Sequence, residues 1–258
     1  DIARERKEGK HEWMNDPTRE EAIRAVMAVA EQLKKDKVQT VIWIGIGGSG
    51  LGPKVLQEVF ETPDTMEFIL VDTIDPSLLE LYRTMVDWKH AAVVVVSKSG
   101  ETLESMSAFF FYYEELKNAL GKKAAQRVVA ITDPESGSLR KMATKEGFLT
   151  LPIHPNVGGR YCIFSPVGLL PLALFGSDVR KFVQGAIDMD ALCSSDTIDE
   201  NPAALLAVVQ YILESKKGYL VRVIMPYIQK LQSIARWNQQ LIAESLGKTE
   251  IHNPIPLA

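Results

Sequence analysis

Cysteine is scarce in this 258-residue chain. Only Cys162 and Cys193 are present, too few to frame a disulfide scaffold, which fits a reducing compartment. A surplus of positive charge is missing as well. Lysine and arginine number 29 against 33 acidic residues, a formal net charge of −4, so the basic field of a general nucleic-acid binder is absent. No apolar run is long: the greasiest stretch, 162–176, is too short to span a bilayer and is interrupted by Pro166 and Pro171. The start shows no charged-then-apolar leader pattern. His11, His90, His154 and His252 have no metal-ligand spacing, and the cysteines form no CxxC. What is there, 46% apolar and 24% charged residues, excludes wholesale disorder and collagen-like repeats. The expectation is a cytoplasmic protein with no metal, membrane or nucleic-acid partner. At roughly 150 residues per domain, the chain holds one or two.

Residues 1–11 are almost entirely charged and read as a solvated lead-in. Asp16-Pro17-Thr18 predicts a helix start, and Ile23, Val26, Met27, Ala30 and Leu33 recur at helical spacing after it. Four β-branched runs follow, at 40–44, 68–71, 91–96 and 127–131. They lack polar alternation, as strands of a parallel sheet covered on both faces do. Helical stretches separate them; in 103–120 the apolar positions 103, 106, 110, 113 and 120 are expected on one face. This alternation predicts a doubly wound α/β domain, a parallel sheet flanked by helices. Residues 179–202 read as a polar connection. Beyond them a helix (203–214), one strand (219–225) and another helix (229–246) read as the start of a further α/β domain. The predicted domains are 1–188 and 189–258. One strand is not a sheet, so the chain reads as cut inside the latter domain.

Four stretches could carry chemistry. Gly45-Ile-Gly-Gly-Ser-Gly-Leu-Gly52 follows a strand and precedes a helix, so its backbone N–H groups and the helix end suit an anion such as phosphate. The same residues satisfy a dinucleotide fingerprint through Gly45, Gly47, Gly50 and Asp72, and a tight turn without ligand would also explain them. Ser97-Lys-Ser-Gly-Glu-Thr102 supplies hydroxyls and N–H donors at another helix start; ordinary capping is its plain alternative. Strand ends of one parallel sheet converge on one edge, so the two loops together suit a phosphate monoester. Arg160, after Gly158-Gly159, could steady negative charge developing on a substrate oxygen, or form a surface ion pair. Gln240 and Glu244 share a helix face. Glu244 is expected beside Trp237, where a half-sheltered carboxylate could serve as a general base, or simply as a solvated glutamate.

Taken in order, these stretches resemble the glucose-6-phosphate isomerase family. Gly158-Gly-Arg-Tyr-Cys-Ile-Phe-Ser-Pro-Val-Gly168 and Gln240-Leu-Ile-Ala-Glu-Ser-Leu-Gly-Lys248 carry most of the likeness, which runs from Val41 to Lys248. The resemblance implies two sugar-isomerase-type domains in a homodimer that interconverts glucose 6-phosphate and fructose 6-phosphate through a cis-enediol, without metal or nicotinamide. It implies that Gly48 and Ser49 form a substrate loop. Ser97, Lys98 (chiefly by its backbone), Ser99 and Thr102 would form a phosphate cradle. Arg160 would steady the enediol, Gln240 would bind substrate and Glu244 would move the proton. The family's ring-opening histidine and catalytic lysine have no match here, so these 258 residues alone are expected to be nearly inactive. A non-catalytic sugar-phosphate sensor of the same fold is the alternative, but it has no need of Arg160, Gln240 and Glu244 together. A nicotinamide-dependent dehydrogenase leaves the 97–102 loop unexplained. A purely structural protein finds no repeat or coiled coil to support it.

Overall fold

The computed structural model describes residues 2–247 and 254–257 and divides into two compact units, Asp1–Val179 and Arg180–Ala258. The first unit runs α1 (Ile2–Lys7), α2 (Glu20–Lys35), β1 (Thr40–Ile44), α3 (Gly48–Phe60), β2 (Glu67–Val71) and α4 (Pro76–Met85). It continues through β3 (Ala91–Val96), α5 (Leu103–Leu120), β4 (Val128–Thr132), α6 (Ser138–Glu146), β5 (Leu149–Pro152) and α7 (Pro166–Leu174). All five strands are parallel, in the order β2-β1-β3-β4-β5. Ile44 lies opposite Val71 on one side and Val95 on the other.

Every residue of β1, β3 and β4 is buried, which is why their sequences are uniformly apolar rather than alternating. Neighbouring residues still face opposite ways. Ile42, Ile44, Val93 and Val95 join Phe109, Tyr112 and Leu116 of α5 and Leu139 of α6 in one core. On the other face Trp43 lies 5.6 Å from Phe68, whose ring meets Phe175 edge-on at 5.4 Å. There α7 packs against both α2 and α3, and all nine of its residues are buried. The apolar stretch read at 162–176 is therefore core.

Several local expectations are corrected. The first long helix begins at Glu20, because residues 16–18 close a separate 3-10 turn in which Arg19 Nε donates to Asp16 Oδ1 at 2.9 Å. The inward face of α5 is 106, 109, 112, 113 and 116, whereas Leu103 and Phe110 are exposed. Edge-on contacts of Phe109 and Tyr113 with Phe148, and stacking of Tyr112 on Trp88, set that rotation. Strand β5 was not anticipated, since four residues ending in proline give little periodicity.

The second unit contains α8 (Val179–Leu192), which starts at the last residue of the first unit, then α9 (Pro202–Lys217), β6 (Val221–Val223), α10 (Gln232–Leu246) and β7 (Ile255–Leu257). The stretch read as a polar connection is thus mainly a 14-residue helix. The single strand has a parallel partner, β7. Asn201 starts α9 by accepting from the Ala204 N–H at 3.0 Å, with Pro202 suited to the first helical position. Among the described residues, no helix is long and apolar enough to cross a membrane.

Candidate active site

In a parallel sheet ordered 2-1-3-4-5, the connections after β1 and β3 leave toward opposite faces, opening a crevice at the strands' carboxyl ends. A cavity of about 420 Å³ lies there. Ile46 and Ser49 line it from the β1 side, and Ser97, Lys98, Ser99 and Thr102 from the β3 side. Four of the eight polar lining positions sit in the one loop 97–102. That loop runs into α5, whose N-cap residue, Thr102, makes no side-chain cap. The first N–H groups of a helix have no intrahelical acceptor and carry partial positive charge, so an anion fits here without any added cation.

The glycines around Ser49 shape the loop. Gly47 has φ 60°, a left-handed value suited to glycine. A Cβ on Gly45 would lie 2.5 Å from Ser49 O, and one on Gly50 2.5 Å from Gly45 O. The indole N–H of Trp43 donates to Ser49 O at 2.9 Å and pins the turn to the strand. The glycine pattern is thus accounted for by chain geometry, with no dinucleotide required.

Opposite, Ser97 Oγ accepts from the Gly100 N–H at 3.0 Å and donates to Thr102 Oγ1 at 3.3 Å, while Ser99 Oγ accepts from the Glu101 N–H at 3.1 Å. The Lys98 ammonium donates to the Pro155 and Val157 carbonyls, and the Lys98 carbonyl accepts from Thr132 Oγ1 at 3.1 Å. Its side chain thereby ties the cradle to the loop before Arg160. Asp133, Ser136 and Ser105 also line the cavity; none of them was singled out in the sequence. The signal was available, because Asp133 follows a neighbouring strand of the same sheet and Ser105 sits in the first turn after the Ser97 loop. Three hydrogen bonds, from the N–H groups of Glu135 and Ser136 and the Ser136 hydroxyl, hold the Asp133 carboxyl below its usual range.

Arg160 lies in a 3-10 turn, Gly159–Phe164. Its guanidinium stands over the Tyr161 ring, 5.6 Å from the centroid, and Tyr161 stacks on Trp13 at 5.2 Å. This turn rests directly on the start of α3. A Cβ on Gly48 would sit 2.0 Å from Gly159 O and 3.0 Å from Arg160 N. Gly48 is what allows the two loops to touch. Beneath the contact, the Cys162 thiol is buried, and burial pushes its pKa up to about 12, which leaves it an inert packing group.

Gln240 and Glu244 lie on α10 of the second unit. Gln240 Nε2 donates to Glu244 Oε1 at 2.9 Å, as their i, i+4 spacing requires. Glu244 is exposed and Trp237 partly buried. In its own unit, α10 packs against β7 of the two-stranded sheet. Lys248 and His252 lie outside the described residues. His11 and His90 pair with Glu5 and Asp87. Burial, with Arg19 adding to it, lowers the His154 pKa. Among the described residues, no group of three His, Cys, Asp or Glu is placed to hold a metal ion.

With this geometry in place, comparison with known proteins is informative. The family model described as phosphoglucose isomerase matches residues 20–253. The glucose-6-phosphate isomerase of Carboxydothermus hydrogenoformans is 35% identical over 239 residues, covering 89% of this chain and 51% of its own length. The crystal structure of a hypothetical protein from Thermus thermophilus superposes with a TM-score of 0.88 at 32% identity, over 96% of this chain and 59% of that one. That of a glucose-6-phosphate isomerase from Chlamydia trachomatis gives 0.78 at 28% identity, over 91% and 46%. The chain spans about half the length of the curated relatives it matches. A match running from the second helix through the last one, over a sheet whose switch point carries the hydroxyl-lined cavity, leaves one assignment: the chain belongs to the phosphoglucose isomerase family.

Proposed function

We propose that the protein is an aldose–ketose isomerase that interconverts glucose 6-phosphate and fructose 6-phosphate. The observation that carries this reading is the cavity at the β1/β3 switch point, where Ser49, Ser97, Ser99 and Thr102 line one space with the unsatisfied start of α5. A phosphate monoester offers three outer oxygens and close to two charges, which several short donors hold well. Its binding energy anchors the unreacting end of the sugar and positions the reacting carbons.

The chemistry at the other end needs one base that reaches two neighbouring carbons and a cation near the charge that develops. The family resemblance gives Glu244 the first role. It takes the proton from C2 of the aldose and returns it to C1, with the electrons of the C2–H bond passing through the enediol. Arg160 steadies the enediolate oxygens, and Gln240 holds the substrate. The reading further takes 189–258 as the opening part of a second sugar-isomerase-type domain, and the working molecule as a cytoplasmic homodimer. Because the relatives are about twice as long, turnover is proposed for the full-length product.

The test is a coupled assay of fructose 6-phosphate conversion on that product, with solvent deuterium followed into the sugar's C2. Glu244→Gln should lower turnover by ~10²–10⁴-fold, the usual contribution of a placed proton-transfer group, with sugar-phosphate binding retained. Unchanged turnover would remove the mechanism.

A further inference from the structure

Among the buried serine and threonine hydroxyls described in the first unit, all but one have a partner. Thr40 donates to Glu67, Ser97 to Thr102, Thr132 to the Lys98 carbonyl and Ser165 to the Cys162 carbonyl. The exception is Ser105, 1% exposed, whose Oγ has no hydrogen-bond partner. A serine in a helix commonly bonds back to the carbonyl four residues earlier; this one does not. An unmet buried hydroxyl is costly, so native structures keep one where something else completes it.

The position of this orphan is informative. Ser105 is the third residue of α5 and lines the switch-point cavity. It lies one turn below Thr102, whose side chain makes no cap. The N–H groups of the first turn and the Ser105 hydroxyl therefore sit around the same end of one helix. Ser97, Ser99 and Thr102 already bond within their loop or to each other. Among the described hydroxyls of the stretch 97–105, only the buried Ser105 makes no hydrogen bond at all.

We propose that Ser105 Oγ is the innermost donor to the phosphate group, a contact absent from the motif residues assigned above. This inference rests on reading the cavity as a phosphate site. A dianion seated on the helix start accepts the hydroxyl's hydrogen, completing the orphan and adding a charge-assisted bond in a place shielded from water. No bond to the chain is broken to make it. Ser99 and Thr102 accept through their hydroxyl oxygens and keep their hydrogens for the same ligand, whereas Ser97 must first give up its bond to Thr102.

The experiment titrates fructose 6-phosphate and inorganic phosphate into the 258-residue chain by calorimetry, with thermal melts in parallel. The proteins are wild type, Ser97→Ala, Ser105→Ala and Ser105→Cys. Ser105→Ala should bind both ligands about 10- to 100-fold more weakly, the range for a lost hydrogen bond to a charged group. Its ligand-free melt should be unchanged or higher, because an unmet polar group has been removed; a serine that served packing alone would show the opposite pattern. Ser105→Cys, with a weak donor of similar size, should fall between wild type and alanine, and it carries the test should the alanine variant not fold. If Ser97→Ala weakens binding while both Ser105 variants stay within about twofold of wild type, the Ser105 inference is overturned and the phosphate site stands. If wild type binds neither ligand, the site reading falls, and this inference with it.

Discussion

Replacing Gly48 with alanine tests the contact on which the Arg160 turn depends. The added Cβ would lie 2.0 Å from Gly159 O and 2.5 Å from Gly159 C. Both are backbone atoms, so no side-chain rotation relieves the clash, and the turn must retreat by about 1 Å to reach a tolerable separation. Overpacking of this kind costs ~1–3 kcal/mol. In a domain of this size that lowers the melting temperature by roughly 3–10 °C. The catalytic consequence is larger than the thermal one. A displacement near 1 Å in a group that meets the transition state costs on the order of 10²-fold in rate, and Arg160, proposed above to steady the enediolate, is the next residue along the moving turn. Gly52→Ala is the internal control. Its Cβ would meet Ile163 Cγ1 at 3.8 Å, an ordinary contact, and alanine gains up to about 1 kcal/mol over glycine inside a helix. The two substitutions, four residues apart on α3, should therefore shift stability in opposite directions. Differential scanning calorimetry on the chain and turnover of the full-length product provide the readouts. A Gly48→Ala protein that melts at or above wild type, or matches Gly52→Ala in both measurements, would refute the reasoning.

Asp16 gives a pH dependence of known sign. Burial, opposed by Arg19, raises its pKa from 3.8 to about 6. The folded state therefore holds its proton more tightly than the unfolded one, and this stabilising contribution, full below about pH 4, is lost as pH rises through about 6. The shift corresponds to about 3 kcal/mol. Denaturant midpoints of wild type and Asp16→Asn should diverge by up to that amount between about pH 4 and pH 7; a constant difference across that range would contradict the assignment. Trp43→Phe removes the indole donor from Ser49 O and leaves a carbonyl unmet. It should cost about 1–3 kcal/mol and weaken fructose 6-phosphate binding along with stability, so a variant that loses stability but keeps full affinity would separate Ser49 from the site. Lys98→Met removes the ammonium that ties the cradle loop to the Pro155 and Val157 carbonyls. It should raise amide exchange at 155–160 while leaving inorganic phosphate affinity within a few-fold, and lost phosphate binding would instead give the ammonium a direct role.

The sheet was legible because burial on both faces leaves an unambiguous signature. The run Ala91–Val96 has no polar residue to misplace it, and its observed bounds are those read from the sequence. That the 97–102 loop lines a cavity was legible for a related reason: hydroxyls and glycines packed between an apolar strand and a helix have few structural uses. Other features depend on tertiary contacts that no window of sequence contains. The rotation of α5 follows from aromatic contacts with Trp88 and Phe148 outside the helix, so Phe110 and Phe109 could not be told apart by spacing alone. The helix in 179–192 carries enough Asp, Arg and Lys to resemble a connection. Ser105 reads as an ordinary helical serine until its burial and its missing partner are both known.

The loop holding Ser97 to Thr102 issues from β3, which is hydrogen-bonded to a neighbour on each side and has all six residues buried. A sequence drifting toward a new ligand has little freedom there, because loosening that loop loosens the middle of the sheet. The opposite rim is cheaper to alter. Residues 133–136 are partly or fully exposed and fold around a single carboxylate, so substitutions at Asp133 or Ser136 would reshape the entrance while the anchor stayed intact. Divergence in what enters should therefore accumulate on that rim first.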